Sequence, residues 1–345
     1  MRPSFFQHLH PPTIPAPQAR LRYTLGAGGL SLFLLLVVIL TGVLEMFYYI
    51  PTPERAALSI QEISFLVPFG GLIRNLHFWS AQFLVVFSLL HLLRVILTGA
   101  YAPPRRVNYL IGISLLALIL ALDFSGYVLR WDNGVYWALV TGTNLIKTIP
   151  GAGPALYSLA VGGNELGAPT LVRFYAWHIF GLALTMSFLA GWHIFRVRRD
   201  GGIAVPPPEL RADPSRITRA ELVRRETAAA LLVSAFLLAL AVLYPAPIAA
   251  PLRDLTDQAF ETRAPWFFLW VQQLVRLGDP FVFGVLIPGG LFLLLAFLPF
   301  LFKPPAQAEL GRWFPPSGRP AQITAGLIVI IIAVLSLIAV MQNPA

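Results

Sequence analysis

Long apolar runs separated by short polar or Pro-rich breaks dominate the chain. Seven runs are long enough to cross a hydrocarbon core about 30 Å thick. They cover roughly 25–49, 73–99, 108–129, 172–197, 227–245, 281–302 and 322–341. The pattern predicts an all-α integral membrane protein with seven transmembrane helices. Arg20 and Arg22 precede the first run, Arg94, Arg105 and Arg106 end or follow the second, and Arg196, Arg198 and Arg199 close the fourth. The positive-inside rule then places the N-terminus in the cytoplasm, so runs two and four both descend from the outer to the inner side.

The breaks carry their own information. Residues 131–171 are too apolar for a solvated loop and too broken by Pro150, Gly151, Gly153 and Pro154 for a span, so short helices at the outer interface are expected. Residues 206–226, opening on Pro206-Pro207-Pro208, read as a cytoplasmic linker. They divide the chain into a lead-in over 1–22, a four-helix part over 23–205 and a three-helix part over 227–345. Residues 1–22 lack a long apolar run and read as a cytoplasmic lead-in rather than a signal peptide.

Composition sharpens the class. The chain has 345 residues, is 57% hydrophobic and only 12% charged, well below an ordinary soluble surface. Its net charge of +9 sits in a few loops, where it sets orientation and is no sign of a nucleic-acid partner. With no cysteine, it offers no thiolate ligand, disulfide or thioether-linked haem.

The polar positions inside the apolar runs carry the chemistry. His77 and His91 are fourteen residues apart in the second run. That is a rise of about 21 Å with a return to within about 40° of the same face. His178 and His193 are fifteen apart in the fourth run, again about four turns. Because both runs descend, His77 meets His178 at the outer level and His91 meets His193 at the inner level. A lone intramembrane histidine often only hydrogen-bonds a neighbour, but two matched pairs point to ligands. Two imidazoles per level suit the axial positions of a haem better than tetrahedral zinc, which wants several ligands converging on one point.

Glycines repeat the same spacing. Gly28 and Gly42 in run one, and Gly112 and Gly126 in run three, are each fourteen apart and would leave room at both levels. Arg74 and Arg173 near the outer pair, and Arg94 near the inner pair, could hold haem propionates. Two non-covalent b-type haems stacked in this way make an electron path across the membrane, and a lipid-soluble quinone is its natural terminal. Gly151, Pro154 and the Pro265-Trp266 region should flank the outer pocket.

These residues resemble cytochrome b of the bc1 and b6f complexes over nearly the whole chain. Thr41-Gly42 with Phe47-Tyr48-Tyr49-Ile50-Pro51-Thr52 resembles the family's first helix. Gly126-Tyr127-Val128-Leu129-Arg130-Trp131 resembles its Gly-Tyr-x-Leu-Pro-Trp motif with Arg130 for Pro, and Arg173-Phe174-Tyr175-Ala176-Trp177-His178 resembles the entry to its fourth helix. Fourteen residues between His178 and His193, and seven runs, fit the b6 form fused to a subunit IV-like part. The resemblance implies a four-helix di-haem core followed by three helices, in a homodimeric quinol:cytochrome c oxidoreductase of a bacterial cell membrane. Its expected partners are a Rieske iron–sulfur protein and a c-type cytochrome. Quinol would be oxidised at the outer site and quinone reduced at the inner one, in a proton-translocating Q-cycle.

Two departures matter. The family's Pro-Glu-Trp-Tyr motif reads Ala264-Pro265-Trp266-Phe267 here, so the acid thought to take a quinol proton is missing. Trp266 stays at the expected quinol site, and Glu261 or Asp257 is expected to supply the acid. The b6 cysteine that links an extra haem is also absent. The alternative reading is a di-haem anchor that relays electrons between quinone and a different dehydrogenase or reductase subunit. The long outer segments 131–171 and 246–280 argue against it, because a plain anchor needs no such platform.

Overall fold

The computed structural model describes residues 12–252 and 264–342. Among them, seven helices are long and apolar enough to span a membrane. They are α1 (Ala27–Met46), α3 (Gly70–Leu97), α4 (Arg106–Val128), α7 (Ala168–Arg199), α8 (Arg219–Leu243), α10 (Val282–Leu301) and α11 (Arg319–Gln342). Shorter helices lie between them: α2 (Ala56–Phe65), α5 (Tyr136–Lys147), α6 (Gly153–Val161) and α9 (Leu269–Val275). The fold is thus all-α and membrane-spanning, and residues 131–171 do fold into short helices.

Leu34, Leu35, Leu84, Val85, Ile119 and Met186 pack together midway along α1, α3, α4 and α7, between the two histidine levels. A second cluster, with Ile96, Tyr109, Ala296 and Ala325, joins α3 and α4 to α10 and α11. Helix α7 contains a π turn over Trp177–Leu182. A π turn absorbs one extra residue, so the fifteen-residue spacing of His178 and His193 is equivalent to the fourteen of α3. A second π turn, Val282–Leu286, lies just ahead of Pro288, which has no N–H to continue the α ladder.

One element differs from the sequence expectation. The fifth span starts at Arg219 rather than 227. Thr218 caps it by accepting from the Glu221 N–H at 3.2 Å, and Glu221 then pairs with Arg224 and Arg225 at 2.8 and 2.7 Å. These charges look like linker in composition but stabilise a first turn at helical spacing. The lead-in is tied to the linker. Strand β1 (Thr13–Pro15) pairs antiparallel with β2 (Arg216–Thr218), and Ile14 is buried against Leu222.

Polar contacts join the second half of the chain to α3. The Asn75 side-chain amide donates to the Ala241 carbonyl at 2.8 Å and accepts from the Ala246 N–H at 2.9 Å. Arg74 donates to the carbonyls of Ala246 and Pro247 at 3.1 and 2.6 Å, and Trp79 Nε1 donates to that of Tyr244 at 2.8 Å. The end of α8 leaves carbonyls without helical partners, and α3 satisfies them. Residues 249–252 are held from the other side. Asn133 N–H donates to Ala250, Leu252 N–H to Trp131, and Ala249 N–H to Asp132, whose carboxylate pairs with Arg130 at 2.7 Å. Arg130, the departure from the family motif, therefore anchors one outer connection to the other.

Asn75→Ala should strand the buried Ala246 N–H and the Ala241 carbonyl. Each stranded buried group costs about 1–3 kcal/mol. Thermal unfolding in detergent should show a clear fall in midpoint, whereas Arg55→Ala, which breaks an exposed ion pair with Glu62, should leave it within a degree or so.

Candidate haem and quinone sites

Helices α3 and α7 bring the four histidines together as two pairs. The ring centres of His77 and His178 are 6.4 Å apart, with their planes at 66°. Those of His91 and His193 are also 6.4 Å apart, with planes at 83°. Metal–imidazole bonds are about 2 Å long. Adding roughly 1.1 Å from nitrogen to ring centre, two imidazoles on opposite sides of one iron have centres roughly 6.3 Å apart. The four residues therefore fit axial ligation of two haems. Among the described residues, no three of His, Cys, Asp and Glu converge, which is what a zinc site would need.

The outer imidazoles are oriented by hydroxyls. Thr41 donates to the Val37 carbonyl at 2.7 Å, so at its 3.0 Å contact with His77 Nδ1 it is the acceptor. Ser125 likewise donates to Leu122 and accepts from His178 Nδ1 at 3.0 Å. Each ring thus carries its proton on Nδ1 and leaves the Nε2 lone pair free for a metal. Sequence reasoning passed over this role, although the signal is there: a hydroxyl residue immediately precedes each outer glycine, as Thr41-Gly42 and Ser125-Gly126. Ala27 and Ile111 precede the inner glycines, so that level has no equivalent.

Each of the four glycines faces one imidazole. A Cβ built on Gly126 would lie 2.7 Å from His178 Cε1, on Gly42 3.0 Å from His77 Cε1, on Gly28 3.1 Å from His91 Cε1, and on Gly112 3.4 Å from His193 Cε1. The room they leave is taken up by the ligand rings themselves. At the inner level a cavity of about 280 Å³ is lined by Gly28, His91, Arg94, Arg105, Gly112 and His193.

The three arginines expected at propionates differ in what they have left to donate. Arg74 turns both terminal nitrogens to the carbonyls at 246–247, whereas Arg173 donates to those of Ser158 and Leu159 through Nη1 alone. Arg94 lies over the Tyr23 ring at 4.6 Å and keeps one buried guanidinium nitrogen without a partner, at the wall of the inner cavity. Burial, and then the nearby Arg94, lower Arg105 to about 10, so it remains cationic at neutral pH. The inner cavity thus presents two cations to an anionic ligand edge.

On the outer side, Trp266 donates through Nε1 to Gln82 of α3 at 2.8 Å. Phe267 is buried, and the Phe268 ring lies 6.1 Å from that of Phe124. Phe124 also abuts Gly142 of α5, so it touches both long outer connections. Gly151 and Pro154 sit at the turn from α5 into α6. Glu261 and Asp257 lie outside the described residues.

The family model described as cytochrome b/b6/petB matches residues 14–201. The chain belongs to the cytochrome b/b6 family. It is 42% identical over 188 residues to cytochrome b6 of Heliobacterium modesticaldum, covering 54% of this chain and 88% of that one. It is 36% identical over 175 residues to the menaquinol:cytochrome c reductase cytochrome b subunit of Geobacillus thermodenitrificans, covering 50% of this chain and 78% of that one. The fold of a solved chain described as hyperthermophilic respiratory Complex III matches with a TM-score of 0.75 at 22% identity, covering 92% of both. That match extends the likeness of fold to the second half. Membership implies haem b, and the absence of cysteine is consistent with non-covalent attachment.

The glycine contacts give a graded test. Gly126→Ala places a methyl where the His178 ring stands and should cost the outer haem. Gly112→Ala makes only an ordinary contact and should keep the inner one. Haem per chain by pyridine haemochrome reads both, and equal haem content in the two variants would contradict the geometry.

Proposed function

We propose that this chain is the di-haem cytochrome b subunit of a bc-type quinol:cytochrome c oxidoreductase. The observation that carries the reading is the pair of facing imidazole couples, 6.4 Å apart at each of two levels of one bundle. His77 and His178 would hold the outer haem b and His91 and His193 the inner, within the four-helix part over 23–205. Haem bound there supplies reversible one-electron transfer. Arg94 would hold a propionate at the inner level. At the outer level Arg173 would do so through the guanidinium nitrogens that Ser158 and Leu159 do not engage, and Arg74 by sharing donors with the 246–247 carbonyls.

The remaining residues set the terminals. Trp266 and the Phe268–Phe124 contact would form an apolar outer wall for quinol, with Glu261 or Asp257 as the proton acceptor in place of the missing motif acid. The joined outer connections, 131–133 against 249–252, support a docking platform for a Rieske protein, which a simple anchor lacks. A c-type cytochrome would drain that branch. Quinone would be reduced at the inner level, completing a Q-cycle in a homodimer of a bacterial cell membrane with the N-terminus cytoplasmic.

Purification of the intact complex from its membrane tests the reading. A Rieske protein should co-purify and quinol should reduce added cytochrome c; a dehydrogenase subunit in its place would favour the relay anchor. Within an active complex, Glu261→Gln or Asp257→Asn should lower turnover roughly 10²-fold. Unchanged turnover in both removes them from the proton path.

A further inference from the structure

Two carboxyls sit inside the spans close to the outer histidine pair, and neither has a role in holding the imidazoles. Glu45, on α1, lies four residues past Thr41 and three past Gly42. That places it about one turn, or about 6 Å along the axis, outward of the hydroxyl that meets His77 Nδ1. It shares the α1 face that buries Leu34 and Thr41, and its Oε1 is buried without a hydrogen-bond partner. Arg74 of α3 acts on it by charge but makes no ion pair with it, being turned to the carbonyls at 246–247. Asp123, on α4, lies three residues before Gly126, about one turn nearer the leucine-rich layer. On the helical wheel it falls between Leu116 and Ile119, both buried. Among the described residues Asp123 makes no hydrogen bond or ion pair. The same steps from the inner glycines reach Ser31 and Tyr109, which are uncharged. An unpartnered carboxyl at hydrocarbon depth is costly, and two beside one histidine pair mark a function. A nearby cation would offset the cost. A haem on His77 and His178 supplies one when oxidised, because its ferric core carries one more positive charge than its ferrous core.

We propose that Glu45 and Asp123 are counter-ions to the oxidised outer haem and set its potential, holding it below the value that the two imidazoles alone would give. The inference rests on the proposed reading that His77 and His178 hold a haem. Neither carboxyl is hydrogen-bonded to a histidine, so both act through charge and not through the ligands. Glu45 stands on the aqueous side of the imidazole pair and Asp123 on the side of the leucine-rich layer. Charges set apart from water act on one another several times more strongly than exposed ones, so two carboxylates at this depth weigh on the ferric–ferrous balance.

The test is a redox titration of the haem-loaded full chain, with the outer transition identified by its loss in His77→Ala. At the wild-type midpoint, Glu45→Gln combined with Asp123→Asn should raise the ferrous-to-ferric ratio of the outer haem at least ten-fold, an upward shift of about 59 mV. Each single variant should raise it roughly three-fold, and the inner transition should stay in place. Glu45→Asp and Asp123→Glu keep the charge and should keep the wild-type potential. An outer transition unmoved in the haem-replete double variant, or moved as far by the charge-keeping variants, would overturn the proposal. If the double variant fails to hold haem, the single variants decide in the same way. A wild-type chain with no transition that depends on His77 would instead sink the haem reading, and the inference with it.

Discussion

The structure depends on holding two imidazoles face to face, twice, inside hydrocarbon. Each pair needs its helices in the same register at both levels, because a one-residue slip turns a ring by about 100° away from its partner. Helix α3 meets this with a plain fourteen-residue spacing. Helix α7 meets it with fifteen residues and a π turn that takes up the extra one. The glycines of α1 and α4 let the rings stand where side chains would otherwise be, and at the outer level hydroxyls one position before those glycines fix which nitrogen faces inward.

The rest of the bundle keeps that register. The leucine-rich layer between the two levels packs α1, α3, α4 and α7 against one another. Outside it, Asn75, Arg74 and Trp79 fasten the end of α8 to the helix that bears His77, and Arg130 with Asp132 fastens the 249–252 segment to the end of α4. The second half is therefore tied to the histidine-bearing half by hydrogen bonds that satisfy main-chain groups at and beyond the end of α8.

Much of this was legible in the sequence. Apolar length gave the spans, and histidine spacing the pairing by level. What escaped were features with no periodic signature. Asn75 and Arg74 act on carbonyls some 170 positions away, and nothing near them in sequence announces it. Nearness to His77 in sequence suggests a propionate partner for Arg74, whereas its guanidinium reaches the 246–247 carbonyls. The first turns of α8 look like linker in composition, since four charges in seven residues suggest solvent until their i, i+3 and i, i+4 pairing is seen. The π turn is invisible to a helical wheel, although the extra residue between His178 and His193 was its trace.

The central claim is that each histidine pair holds its own haem, and a potentiometric titration of the purified chain tests it most directly. Two haems held in this way give two separable one-electron b-type transitions of equal size, with His77→Ala abolishing one and His91→Ala the other. A single transition, or the same transition lost in both variants, would contradict it.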